Sequence, residues 1–172
     1  MAGTVDRLWP NGDKISMILE NKIDIQANPK LVWQVTIDVE SWPIWSPAMK
    51  KIIRMDSNEF KPGSAALIKQ KLLPETLWVV TELTPNSSFS WHAKVFGIEM
   101  IATHILIPID SGVTSVLKLE MLGWMTKLFG SVIKKPPSKA LREENWGLKT
   151  FCESLESAPP PTFKSGLNEL KS

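Results

Sequence analysis

Residues Asn28–Pro47 read NPKLVWQVTIDVESWPIWSP. Asn28-Pro29 predicts a helix start: the Asn side chain can accept from free N–H groups of the first turn, and Pro29 fits there because its missing N–H has no helical partner. Leu31, Val32, Val35 and Val39 then recur at helical spacing. Pro43 stops or kinks the helix and Pro47 closes the segment, so the stretch predicts two short helices with aromatics at the break. Just upstream, ILENKIDI (Ile18–Ile25) alternates as a strand does.

Downstream, turn signals at Pro62-Gly63, Pro85-Asn86-Ser87, Gly97 and Asp110-Ser111-Gly112 divide the chain into strands of an antiparallel sheet. Alternation assigns their faces. Phe89, Trp91, Ala93 and Val95 share one face of SFSWHAKVF, and Ser88, Ser90, His92 and Lys94 the other. With Lys69 and Lys71 outward, Ile68, Gln70 and Leu72 point in. With Lys118 and Glu120 outward, Ser115, Leu117, Leu119 and Met121 point in. Outward Glu99 leaves His104 inward with Ala102 and Leu106. Outward Glu82 would carry Trp78 and Val80 to the outer face, beside Ile101, Ile105 and Val116. That apolar patch calls for a cover, by the N-terminal arm with Leu8 and Trp9 or by a second copy. After the sheet, Gly123 and Gly130 bracket a short apolar helix within Met121–Ile133. Pro136-Pro137 breaks the chain there, and a long helix runs over Ser138–Ser157 with Leu141, Leu148, Cys152 and Leu155 as its buried stripe.

In order along the chain, VW…DVESWPIW, FKPGS (Phe60–Ser64), WVVTEL (Trp78–Leu83), FSW (Phe89–Trp91), HILIPIDSGVTSV (His104–Val116) and GLKTFCESLE (Gly147–Glu156) resemble the START-like superfamily, in particular its polyketide cyclase/dehydrase-type (SRPBCC) branch. The resemblance covers residues 17–157. It implies an α+β helix-grip fold, a curved antiparallel sheet wrapped around a long C-terminal helix, with two short helices after the first strand. Residues 1–16 are then an N-terminal arm, and 158–172 a flexible, proline-rich tail.

The resemblance also implies a cavity between the concave sheet face and the long helix. Inward residues then become candidate ligand contacts: Ile68, Gln70, Phe89, Trp91, His104, Leu117, Leu119 and Met121 along the sheet. Trp42, Trp45, Trp124 and Phe129 are placed at the mouth, with the Met121–Ile133 segment as a lid. Each aromatic could equally be plain core; as a group they match the apolar walls of a small-molecule site. Gln70 and His104 are the inward polar groups and need partners, from a ligand, water or each other.

The chemistry the residues can support is narrow. There is no GxSxG elbow, no phosphate-cradling glycine loop and no HExxH helix. His104 is the candidate for acid/base work, without an orienting group visible in sequence. Cys152, the only cysteine, lies between Leu148 and Leu155 as a packing residue, and two histidines far apart give no metal spacing. No cofactor is implied. A net charge of +2 with scattered lysines is too mild to argue for nucleic acid, and none is expected as a partner; Lys134, Lys135, Lys139 and Arg142 read better as a solvated helix face than as a phosphate site.

At 172 residues, 43% hydrophobic and 22% charged, the chain suits one soluble domain. MAGTVDRLWPNGDK lacks a signal peptide's apolar stretch, and no run approaches the ~20 residues of a membrane span, so a cytoplasmic location is expected. The expectation is a protein, monomer or homodimer, that sequesters a hydrophobic or aromatic small molecule. Its rivals are a cyclase/dehydratase-type enzyme using the same cavity, a protein-interaction module with a filled core, and a lipid-transfer protein touching membranes through Trp124–Ile133.

Overall fold

The structure, a computed structural model, describes residues 17–71 and 73–157, with side chains described outside 124–135. The strands are β1 (Met17–Ile25), β2 (Met49–Arg54), β3 (Ala65–Gln70), β4 (Thr76–Thr84), β5 (Ser88–Val95), β6 (Ile98–Ile109) and β7 (Gly112–Leu122). They form one seven-stranded antiparallel sheet in the order β1-β7-β6-β5-β4-β3-β2. From β2 onward each strand pairs with the next. β1 instead crosses to the end of the chain and pairs with β7, from Met17 against Met121 to Ile25 against Val113.

β1 and β2 therefore lie at opposite edges, and the chain between them must span the sheet. α1 (Pro29–Ile37), a 3-10 turn at Val39–Ser41 and α2 (Trp42–Trp45) do this. The Asn28 side chain accepts from the Lys30 N–H at 2.9 Å, and Pro29 stands in the first turn, as the sequence predicts. Val32 and Val39 are fully buried beneath this span, and Trp42 donates from Nε1 to the Thr36 carbonyl at 3.2 Å, tying α2 back to α1. The curled sheet closes around α3 (Trp124–Ser157), and the core lies between its concave face and the three helices.

Three expectations need correction. The sequence predicts a short helix, a break at Pro136-Pro137 and a second helix. The structure has one helix, Trp124–Ser157, with both prolines inside it, and Met121 and Leu122 belong to β7. Proline deletes an N–H donor and fixes φ near the helical value; it removes bonds without dictating an end. Trp78 and Val80 point into the core rather than out, because the β4–β5 register shifts between Val80 and Glu82. That bulge inserts a residue and resets the alternation counted back from Glu82. Leu155 is 43% exposed instead of completing the buried stripe. The last turn of α3 runs past the sheet, where Glu153 and Glu156 accept from the backbone N–H groups of Gln26 and Asn28.

The remaining outer-face residues stand where alternation puts them. Ile101 and Val116, on the face turned away from α3, are only 3% and 4% exposed. The arm expected to cover them lies outside the described residues, as do the proline-rich tail and Leu72.

Candidate functional site

Between the concave sheet face and α3 lies a cavity of about 420 Å³. Its walls come from alternate positions of adjacent strands: Trp78 on β4, Trp91 and Val95 on β5, Met100, Ala102 and His104 on β6, and Leu117, Leu119 and Met121 on β7. Pro136, Pro137, Ala140, Leu141 and Glu144 of α3 face them.

His104 is the buried polar group of the β6 wall. Strict alternation with Met100, Ala102 and Leu106 turns it inward, and it is 6% exposed. Phe89, its cross-strand partner on β5, stacks on it with centroids 4.5 Å apart and planes 7° from parallel. Trp42 approaches from α2 at 5.1 Å and Trp91 edge-on at 6.0 Å. The imidazole thus stands in an aromatic enclosure open toward α3.

Facing it from the helix is Glu144, 7% exposed, with Oε1 3.8 Å from His104 Nδ1. Two neighbours fix Glu144 in place. Asn145, fully buried, donates from Nδ2 to Asn21 Oδ1 at 2.8 Å and accepts from Ser115 Oγ at 2.8 Å, locking α3 to β1 and β7. Gly147 lies against the backbone of Trp45, where a Cβ would run into the Trp45 carbonyl oxygen, so glycine is what lets α3 approach α2 this closely. The helix can neither rotate nor withdraw without breaking one of these contacts.

Burial sets the protonation of the pair. It pushes the Glu144 carboxyl up to about 8 and the His104 imidazole down to about 3. Near neutral pH the two are a protonated carboxyl and a neutral imidazole, one a donor and the other an acceptor. At 3.8 Å they are too far apart for a mutual hydrogen bond. A hydroxyl placed about 2.8 Å from each could accept from the carboxyl and donate to the imidazole.

The other expected site residues divide. Trp42, Gln70, Trp91, Leu117, Leu119 and Met121 line the cavity with His104. Trp42 does so deep inside, at 1% exposure, and not at the mouth. Gln70 is half-buried, with Nε2 3.6 Å from Met49 Sδ. Trp45, Ile68 and Phe89 are buried behind the wall instead of on it: Trp45 packs on Trp42 at 5.7 Å and Phe89 backs His104. The side chains of Trp124 and Phe129, and with them the lid, lie outside the described residues. Sequence reasoning missed Trp78, through the bulge, and Glu144 with Asn145. The signal for the last two was present: positions 141, 144, 145, 148 and 152 recur at helical spacing on one face. Counting only apolar residues along that stripe passes over its two polar members.

Cys152 is buried on the same stripe, its thiol pushed up to about 12 by burial and by the Glu153 charge, which leaves it inert packing. Among the described residues no group of three metal-ligating side chains occurs, and no helix is long and apolar enough to cross a membrane.

Fold and cavity define a helix-grip protein with a predominantly apolar interior site. Residues 17–152 match the family described as "Polyketide cyclase / dehydrase and lipid transport", and the chain belongs to that family. No curated protein matches the sequence. Among solved structures, a hypothetical protein from Helicobacter pylori is similar at TM-score 0.70 and 13% identity, covering 88% of this chain and 99% of that one. Norcoclaurine synthase from Thalictrum, crystallised with a transition-state analogue, is similar at TM-score 0.64 and 11% identity, over 82% of this chain and 96% of that one. The di-domain ARO/CYC StfQ from the steffimycin biosynthetic pathway is similar at TM-score 0.68 and 10% identity, over 83% of this chain and 54% of that one. At these identities the likeness is one of fold.

Proposed function

We propose that the cavity binds one hydrophobic or aromatic small molecule, lipid-like or polyketide-like, with its polar end at His104 and Glu144. The observation that carries this reading is a predominantly apolar cavity of about 420 Å³ at which two buried polar side chains, His104 and Glu144, converge. The volume falls in the range of small-molecule sites, and convergent polar groups in an apolar pocket are what orient a ligand. An open interior also argues against a module that works by its outer surface alone, which would be free to fill its core.

A cyclase/dehydratase-type activity finds one observation in its favour. Glu144, held protonated at neutral pH, has the property a general acid requires. His104 argues the other way, since an imidazole pushed down to about 3 is a feeble base. Binding is therefore the reading preferred.

Titration with the neutral fluorophore N-phenyl-1-naphthylamine tests it. One-to-one saturable binding is expected, weakened when Ala102→Trp fills the cavity from the β6 wall. Absence of saturable binding to the wild-type protein overturns the reading.

A further inference from the structure

We propose that the site selects an uncharged ligand carrying an oxygen, a hydroxyl or a carbonyl, and excludes anionic amphiphiles such as free carboxylates. This rests on the binding reading above and narrows its ligand class.

The argument is one of geometry and charge. His104 and Glu144 are buried polar groups that meet at the wall, and at 3.8 Å apart they are too far for a mutual hydrogen bond and close enough for one oxygen beside them to reach both. A ligand anion placed there would meet a carboxyl and an aromatic enclosure of Trp42, Phe89 and Trp91, with no unengaged cation facing it among the described residues. Lys118 is the described lysine that lines the cavity, and its ammonium is engaged by Glu120 at 2.6 Å, on the strand positions that alternate with the inward Leu117 and Leu119. Arg54 is held by Asp56 and the Asn58 carbonyl, away from the cavity wall. A desolvated anion without a partner is strongly disfavoured, whereas a neutral carbonyl can accept from Glu144, and a hydroxyl can in addition donate to His104. Protonation of Glu144 at neutral pH agrees with this, since it makes the donor and removes the charge of that carboxyl.

The site should therefore distinguish matched probes on one ring system. Calorimetric titration at neutral pH compares 2-acetylnaphthalene, 2-naphthoate, 2-(aminomethyl)naphthalene and naphthalene itself. The neutral ketone is expected to bind at least about tenfold more tightly than the carboxylate and the ammonium, and more tightly than naphthalene, which lacks the oxygen. Glu144→Leu should erase the preference for the ketone over naphthalene while naphthalene still binds, a readout that misfolding would not produce. Comparable or tighter binding of naphthoate, or of the aminomethyl compound through an ionised Glu144, overturns the selectivity while leaving cavity binding intact. If none of the four binds, the binding reading itself fails.

Discussion

The buried pair should write itself into the pH dependence of stability as a flat top with a fall on either side. Glu144 is raised from 4.5 to about 8 in the folded protein. Its contribution is complete below 4.5 and is lost as pH rises toward 8, because the folded state then holds a proton the unfolded chain has released. His104 is lowered from 6.5 to about 3, so its contribution is complete above 6.5 and is lost as pH falls toward 3. Between 4.5 and 6.5 the two slopes are opposite and cancel. Outside that window each acts alone over roughly 1.5 pH units, or about 2 kcal/mol on each side. Among the described residues, those facing the pair from α2, β5 and β7 are Trp42, Phe89, Trp91 and Leu117, none of which titrates in this range. On α3 itself, Lys139 and Glu143 pair with each other at 3.6 Å toward solvent. Urea unfolding of the wild type and of Glu144→Gln across this range isolates the carboxyl, since subtracting one profile from the other removes the background of other groups. The wild-type advantage should decline by up to about 5 kcal/mol from pH 4.5 to 8. A difference that stays constant with pH would show Glu144 titrating at its ordinary value and would refute the account of a buried, neutral pair.

Other outcomes depend on the same packing. Asn145→Ala removes the donor to Asn21 and the acceptor for Ser115, and should cost about 2–4 kcal/mol in chemical denaturation. Gly147→Ala gains helix propensity but drives a Cβ into the Trp45 backbone; a net loss of about 1–3 kcal/mol is expected, with weaker binding of N-phenyl-1-naphthylamine as Glu144 shifts. An increase in melting temperature for this variant would show that α3 can slide away at no cost. Cys152 should resist Ellman's reagent in the native protein and react only on unfolding.

How far the sequence reaches can be judged from particular residues. Asn28, Pro29 and the tryptophans of α2 act locally, through a cap and fixed φ angles, so their reading survives contact with the structure. His104 is also legible, because period-two alternation on β6 is unbroken from Met100 to Leu106. Trp78 is not, because one inserted residue between Val80 and Glu82 inverts every face assigned across it, and nothing in WVVTEL marks the insertion. Pro136 and Pro137 mislead in the opposite direction: a strong local signal is overridden by a helix held from its far end at Asn145, Gly147 and Leu148. Glu144 is hidden because a charged side chain on an amphipathic helix ordinarily faces solvent. Its role emerges only when β6 and α3 are brought to 3.8 Å.

The pairing of β1 with β7 has a consequence for how this chain is made. Met17 finds its partner at Met121, and Asn21 waits for Leu117 and for Asn145 beyond it. The hairpins from β2 to β7 can assemble as they leave the ribosome, but the first strand synthesised is among the last to be satisfied. Until then Leu19 and Ile25 stay uncovered beside an open edge at β7, a long-range closure that slows folding and exposes the nascent chain to mispairing. The charges that alternate along β1, Glu20, Lys22 and Asp24, stand on the strand that must remain single for that interval, where they discourage another edge from joining it.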